Sequence, residues 1–261
     1  MDQRLAVLLY HNVGPRLPGT NRWLTVSSAT FRRHVETLAR NGYTGITARQ
    51  WLDHLRGQGE LPPKPVLLTF DDGYAAIAEH ALPVLREHGF SATVFIVTGL
   101  IGKADAWEDA EGPMRMTLLR ADEVRRWAGQ GIEFGAHSRT HPDLRKLHGQ
   151  DLRQEIAGSR ADLEKLVGRE PCAFAYPFGF QNAEVRTAVA EAFPLGFTTR
   201  AGMNERNTDP LQLCRSRVWP LDSTLDIRFR AARGWAPFTG VLSLAAALRN
   251  RVLGRGVADE K

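Results

Sequence analysis

A chain of 261 residues with 43% hydrophobic and 24% charged side chains can bury a sizeable core and is too ordinary in composition for a disordered or fibrous protein. The net charge of +5 favours anionic partners, but outside an Arg-rich stretch from Arg215 to Arg233 the excess is dispersed. With no aromatic-and-basic module beside it, nucleic-acid binding is not expected. Cys172 and Cys214 are too few for a metal cluster or a disulfide framework, and read as buried apolar side chains.

The first thirteen residues, MDQRLAVLLYHNV, hold six apolar or aromatic residues in a row. That is too short for a signal-peptide core or a membrane span, so a cytoplasmic protein starting at Met1, at most visiting the inner membrane face, is expected. Apolar runs predict strands at 5–10, 66–70, 92–97, 132–135, 174–176, 196–198 and 216–219. Between them amphipathic patterns predict helices at 28–40, 75–88 with a kink at Pro83, 121–131, 150–167 and 183–191. The polar stretch 102–113 reads as a loop at the rim of a site. This alternation predicts an α/β chain folded as a distorted (β/α) barrel of about seven strands, residues 1–235. A helical, basic tail at 236–261 follows, with Val241, Leu242, Leu244, Leu248, Val252 and Leu253 interleaved with Arg249, Arg251 and Arg255. Packing on the domain and contact with a membrane surface are both open for that tail.

Chemistry concentrates where strands end. VLLTFDDGY, 66–74, runs an apolar strand into Asp71 and Asp72. Ligands gather at the carboxyl ends of parallel strands, and adjacent residues there point in different directions, so two carboxylates can do two jobs. Asp-Asp-Gly is also a common turn in which aspartates cap the next helix. GAHSRTHPDL, 135–144, follows another strand and carries His137 and His141 at a spacing that, on a helical turn, brings both imidazoles to one side. Two imidazoles and one carboxylate leave coordination positions open on a divalent metal, the pattern of a catalytic centre. Zinc is the default, and cobalt, nickel or iron accept the same ligands.

TFDDGY and HSRTHP together resemble the first two motifs of the NodB-like polysaccharide deacetylases, carbohydrate esterase family four, and the βα pattern from Leu5 to about Trp219 is similar. The resemblance implies Asp71 as catalytic base and Asp72, His137 and His141 as metal ligands, with an amino-sugar glycan as substrate. The short apolar start and the basic tail add a lipid-linked sugar precursor to the expected substrates. AYPFG, 175–179, looks like the third motif, with Ala175 standing where an arginine usually braces the base and Phe178 offering its backbone N–H to the oxyanion. Tyr176 lies within it. The C-terminal histidine motif is missing, since all eight histidines lie at or before His148. LLYHNV, 8–13, is similar to the permuted arrangement of the poly-N-acetylglucosamine deacetylase branch and implies His11 as general acid, a strand-end structural histidine being the alternative. In CRSRVWP, Arg217 is the better match to a late-strand arginine of that branch, although Arg215 points to the same face by strand alternation. Tyr74 and Trp107 are candidates to line a sugar cleft, with core packing equally open for Tyr74. His34, His54, His80, His88 and His148 belong to no motif. Three further readings stand beside N-deacetylation: an amidohydrolase on a non-sugar amide, an O-acetyl esterase, and a catalytically weak carbohydrate-binding protein.

Overall fold

The computed structural model describes residues 3–16, 18, 23–106 and 115–237, so the expected tail from 238 onward and Trp107 lie outside the described residues. The elements run β1 (Leu5–Tyr10), β2 (Asn12–Val13), β3 (Thr25–Val26), α1 (Ser28–Arg40), β4 (Thr44–Ile46), α2 (Ala48–Leu55) and β5 (Pro65–Phe70). Then come α3 (Ile77–His80), α4 (Leu82–Glu87), β6 (Ala92–Ile96), α5 (Ala121–Ala128), β7 (Ile132–Ala136), α6 (Gly149–Val167) and β8 (Ala173–Ala175). The chain continues through α7 (Ala183–Ala192), β9 (Leu195–Phe197), β10 (Met203–Asn204), β11 (Ser216–Arg217) and α8 (Thr224–Arg233). No helix among the described residues is long and apolar enough to cross a membrane.

Strands β1, β5, β6, β7, β8 and β9 lie side by side and parallel in that order. The curl is completed by segment 213–217: Leu213 bridges Phe197, and β11 runs parallel to β1 through Leu8–Ser216 and Leu9–Arg217. The expected distorted barrel is therefore present, and every strand of it delivers its carboxyl end to the same mouth. β10 and β4 are short additions at the foot of β1 and β5.

Strands covered on both faces should be apolar throughout, and β1 (LAVLLY) and β5 (PVLLTF) are buried at every position. Alternation then sorts their side chains. Ala6, Leu8, Tyr10, Leu68 and Phe70 pack outward against the helices, while Leu5, Val7, Leu67, Phe95, Ala173, Leu195, Phe197 and Leu213 fill the interior. Gly135 makes room for Phe95: a Cβ there would lie 2.6 Å from the ring.

Helix α2 closes the amino-terminal end with Ala48, Trp51 and Leu52. Its first turn is held by the buried Glu133, which accepts from Arg49 N at 2.9 Å, Thr93 Oγ1 at 3.1 Å and Cys172 Sγ at 3.1 Å. A carboxylate at a helix N-terminus satisfies donors that would otherwise be orphaned.

One difference from the sequence-based expectation has a simple cause. The helix expected at 75–88 with a kink is two helices, because Pro83 stands in the first turn of α4, where a missing N–H is harmless, and the chain breaks at Ala81. Cys172 is buried and Cys214 half-buried, and both are free thiols.

His34 ties α1 to the loop before α8. Its Nε2–H donates to Asp222 O at 3.0 Å, leaving Nδ1 to accept from Tyr10 Oη at 3.2 Å. Burial pushes its pKa down to about 4 from 6.5. The unfolded chain therefore binds the proton more readily, so His34 lowers stability as pH falls from 6.5 towards 4 and has no such effect above. The expected size is roughly 2–4 kcal/mol. Urea titrations across that window should show a shallower slope for His34→Gln than for the parent; equal slopes would contradict this.

Candidate active site

The alternation that fills the barrel also builds the site at its mouth. Above the interior residues Leu5 and Val7, the same face of β1 continues through Leu9 to His11. Leu67 is followed by Thr69 and Asp71, Glu133 by Gly135 and His137, Phe197 by Thr199, and Leu213 by Arg215, Arg217 and Trp219. A cleft of about 500 Å³ opens there, lined by His11, Asp71, Asp72, His137, His141, Tyr176, Phe178, Thr199, Arg217 and Trp219, among others. That is within the range of a small-molecule site, roughly 300–1,000 Å³.

Asp71 continues the inward parity of β5, and Asp72 is turned away from it by a left-handed backbone, φ 70°. Gly73 is required next, since its own φ is 71° and a Cβ would lie 2.8 Å from Ile96. Among the described residues the non-glycine positions with positive φ are Asp72, Ser138, His141 and Phe178, and all four lie in the motifs named above. Strain of this kind persists where the surroundings over-determine it and clusters at working sites.

The expected helical turn from His137 to His141 is not there. The segment is a non-helical turn in which Ser138 and His141 adopt φ 61° and 63° and Ser138 Oγ accepts from His141 N at 2.9 Å. The rings nevertheless converge, with centroids 4.8 Å apart. Both Nε2 atoms stand 3.5 Å from Asp72 Oδ1. One ligand atom each from Asp72, His137 and His141 can be chosen so that all lie within 4.8 Å of one another. His137 Nδ1 donates to the Ala175 carbonyl at 2.8 Å, which orients the ring and turns Nε2 towards Asp72. Burial, then the neighbouring His137, pushes His141 down to about 3, so that ring is neutral. For His137 burial is outweighed by Asp71 and Asp72, and the imidazole is raised above its ordinary value. Two neutral imidazoles and a carboxylate are the donor set a divalent zinc, cobalt, nickel or iron ion requires.

Asp71 is paired differently. Arg215 grips it with both terminal nitrogens, Nη1 to Oδ1 at 2.6 Å and Nη2 to Oδ2 at 2.8 Å. The guanidinium is itself held by Nε donating to Thr198 O at 2.8 Å, and it lies 5.5 Å over the Phe95 ring. Burial alone would raise the Asp71 carboxyl; Arg215, helped by His137 and His11, outweighs it and keeps the group below its ordinary value. The charge absent at Ala175 thus comes from β11's side of the barrel, through Arg215. Arg217, the arginine favoured from sequence, lines the cleft instead, 4.2 Å over the Trp219 ring.

Of the two tyrosines singled out from sequence, one reaches the cleft and the other takes the core position equally open to it. Tyr74 is buried among Val97, Met116 and Leu118 and does not line the cleft; burial, with Asp72 beside it, holds its phenol well above the ordinary range. Tyr176 does reach the wall, but its hydroxyl donates to Leu211 O at 3.0 Å. Phe178 packs its ring edge-on against His141 at 4.6 Å, and among the described residues no hydrogen bond engages its backbone N–H. His11 lines the cleft, and burial pushes it down to about 4 against the attraction of Asp72. Thr199 and Trp219 were not singled out from sequence, although the inward parity running from 197 and from 213 points to both.

A family model described as polysaccharide deacetylase matches residues 58–195. YxkH of Bacillus subtilis, a protein named for the same family, is 28% identical over 218 residues, 83% of this chain and 72% of that one. The poly-beta-1,6-N-acetyl-D-glucosamine N-deacetylase of Staphylococcus aureus is 24% identical over 177 residues, 64% of this chain and 58% of its own. Among solved structures, the Streptococcus pyogenes deacetylase PplD in complex with acetate superposes with a TM-score of 0.74 at 24% identity, covering 86% of this chain and 96% of that one, a likeness of fold.

Proposed function

The chain belongs to the polysaccharide deacetylase family, and we propose that it removes the N-acetyl group from an N-acetylhexosamine unit of a glycan or lipid-linked sugar precursor. The observation that carries this reading is the division of labour between adjacent carboxylates: Asp72 faces two imidazoles at 3.5 Å, while Asp71 is gripped by Arg215 at 2.6 and 2.8 Å. One is arranged as a ligand and the other as a base.

In this reading Asp72, His137 and His141 hold a divalent metal, zinc by default, which when bound acidifies water and polarises the acetyl carbonyl. Asp71, kept ionised by Arg215, takes the proton from the attacking water. Phe178 presents its unengaged N–H to the oxyanion that forms at the carbonyl. His11, neutral at rest, relays the proton that Asp71 has taken from water to the departing nitrogen, and the two nearby carboxylates favour its charged form in transit. Tyr176 and Thr199 shape the wall, and Trp219 offers an aromatic surface to a sugar ring.

Acetate release from N-acetylglucosamine oligomers, measured beside an O-acetylated sugar, tests the proposal. Release from the N-acetyl substrate is expected. Release only from the ester would replace this reading with an esterase, and sugar binding without release would favour a carbohydrate-binding protein.

A further inference from the structure

The two arginines that the end of the barrel turns inward meet different surroundings. Arg215 is fully engaged, by Asp71 and Thr198 O. Arg217, two residues nearer the mouth, is stacked on Trp219 at 4.2 Å, and among the described residues no hydrogen bond or ion pair engages its guanidinium. Its Nε is buried without an acceptor. The carboxylates within electrostatic reach, Asp72 and Asp71, have closer partners in the two histidines and in Arg215. A buried donor left without an acceptor is costly, and a planar guanidinium held on an aromatic face is suited to bidentate binding of a phosphate or carboxylate. A hydroxyl of a neutral sugar could accept from the donor, but only an anion would also meet the charge.

We propose that Arg217 is an anion-recognition residue, and that the N-acetylhexosamine unit this cleft takes carries a covalently attached phosphate or carboxylate. The nature of the reaction rests on the deacetylase reading; the anion site rests on Arg217 and Trp219 alone.

The test compares N-acetylglucosamine 1-phosphate, N-acetylmuramic acid and the neutral methyl glycoside of N-acetylglucosamine as substrates of the zinc-loaded protein. One charged substrate should exceed the neutral one in kcat/KM by about tenfold or more, mainly through KM, the size expected for a charge-assisted hydrogen bond. Which one does so identifies phosphate or carboxylate. Arg217→Gln should collapse that ratio towards one, and Arg217→Lys should restore part of it. Competition by inorganic phosphate and by acetate against the neutral substrate adds a second reading: inhibition by the preferred anion should weaken in Arg217→Gln, which separates Arg217 from anion binding at the metal. Equal kcat/KM for charged and neutral sugars, or a ratio unchanged in Arg217→Gln, overturns the proposal and leaves the deacetylase reading standing. If no substrate releases acetate, calorimetric binding of N-acetylglucosamine 1-phosphate or N-acetylmuramic acid still decides the matter: binding lost in Arg217→Gln supports the anion site, and binding of neither overturns it.

Discussion

Asp71→Asn should lower acetate release by about three orders of magnitude or more while the protein still binds metal, the size expected when a general base and its charge are both removed. The side-chain volume is conserved but Arg215 loses its counter-charge, so circular dichroism must show the variant folded for the loss to be read as chemical. Asp71 stands 4.0 Å from His137 Nε2, against 3.5 Å for Asp72, and it is already held by Arg215. Metal content by atomic absorption should therefore remain at the parent level. Loss of metal together with activity would make Asp71 a ligand, and retention of activity would remove it from the mechanism.

Arg215→Met should be the most destabilising substitution in the site. Arg215 is fully buried, with 0% of its side chain exposed, and its partner Asp71 has 4%. Removing one member of a buried pair leaves an uncompensated charge and costs roughly 3–5 kcal/mol. In the parent, Arg215 holds the Asp71 pKa below its ordinary value, so the pair's stabilisation is present above the carboxylate's unfolded pKa and is lost as pH falls through the lower folded value. Without Arg215, burial dominates and the Asp71 pKa rises. The deficit should then be largest at neutral pH and shrink on acidification, while the acid limb of kcat/KM moves to higher pH. Urea midpoints and a pH–rate profile read the two effects separately. An unchanged acid limb would mean that Arg215 does not tune the base. Arg217→Met, which takes no hydrogen bond from Asp71, should cost less stability.

Much of this site could be read from the chain because TFDDGY, HSRTHP and LLYHNV resemble family motifs, and strand parity shows why they converge: a residue two beyond an inward one also faces inward. His11, Asp71 and His137 follow directly from Leu9, Thr69 and Gly135. Parity could not separate Arg215 from Arg217, which share a face; the difference is depth, and depth depends on how the 213–217 segment is staggered against β1 and β9. The convergence of His137 and His141 was anticipated, but through the wrong backbone, since left-handed φ values at Ser138 and His141 leave no periodic signature. Tyr74 resembled a cleft residue because it follows Asp71, Asp72 and Gly73, yet the turn at Gly73 carries it down onto Met116 and Leu118.

The elements missed were short or weakly patterned. β2, β3 and β10 have two residues each, too few for any alternation to show. α2 and α8 did carry signals in their capping boxes, Thr47 with Gln50 and Ser223 with Asp226, but they lack the long apolar stripe that marks the other helices.

The most direct test of the account is a titration of metal-stripped protein with zinc, following bound metal by equilibrium dialysis and acetate release from N-acetylglucosamine oligomers in the same samples. Activity should rise in proportion to bound metal, saturate at one ion per chain, and be absent together with tight binding in His137→Gln and His141→Gln. Full activity in the stripped protein, or tight zinc binding that survives the loss of both histidines, would contradict it.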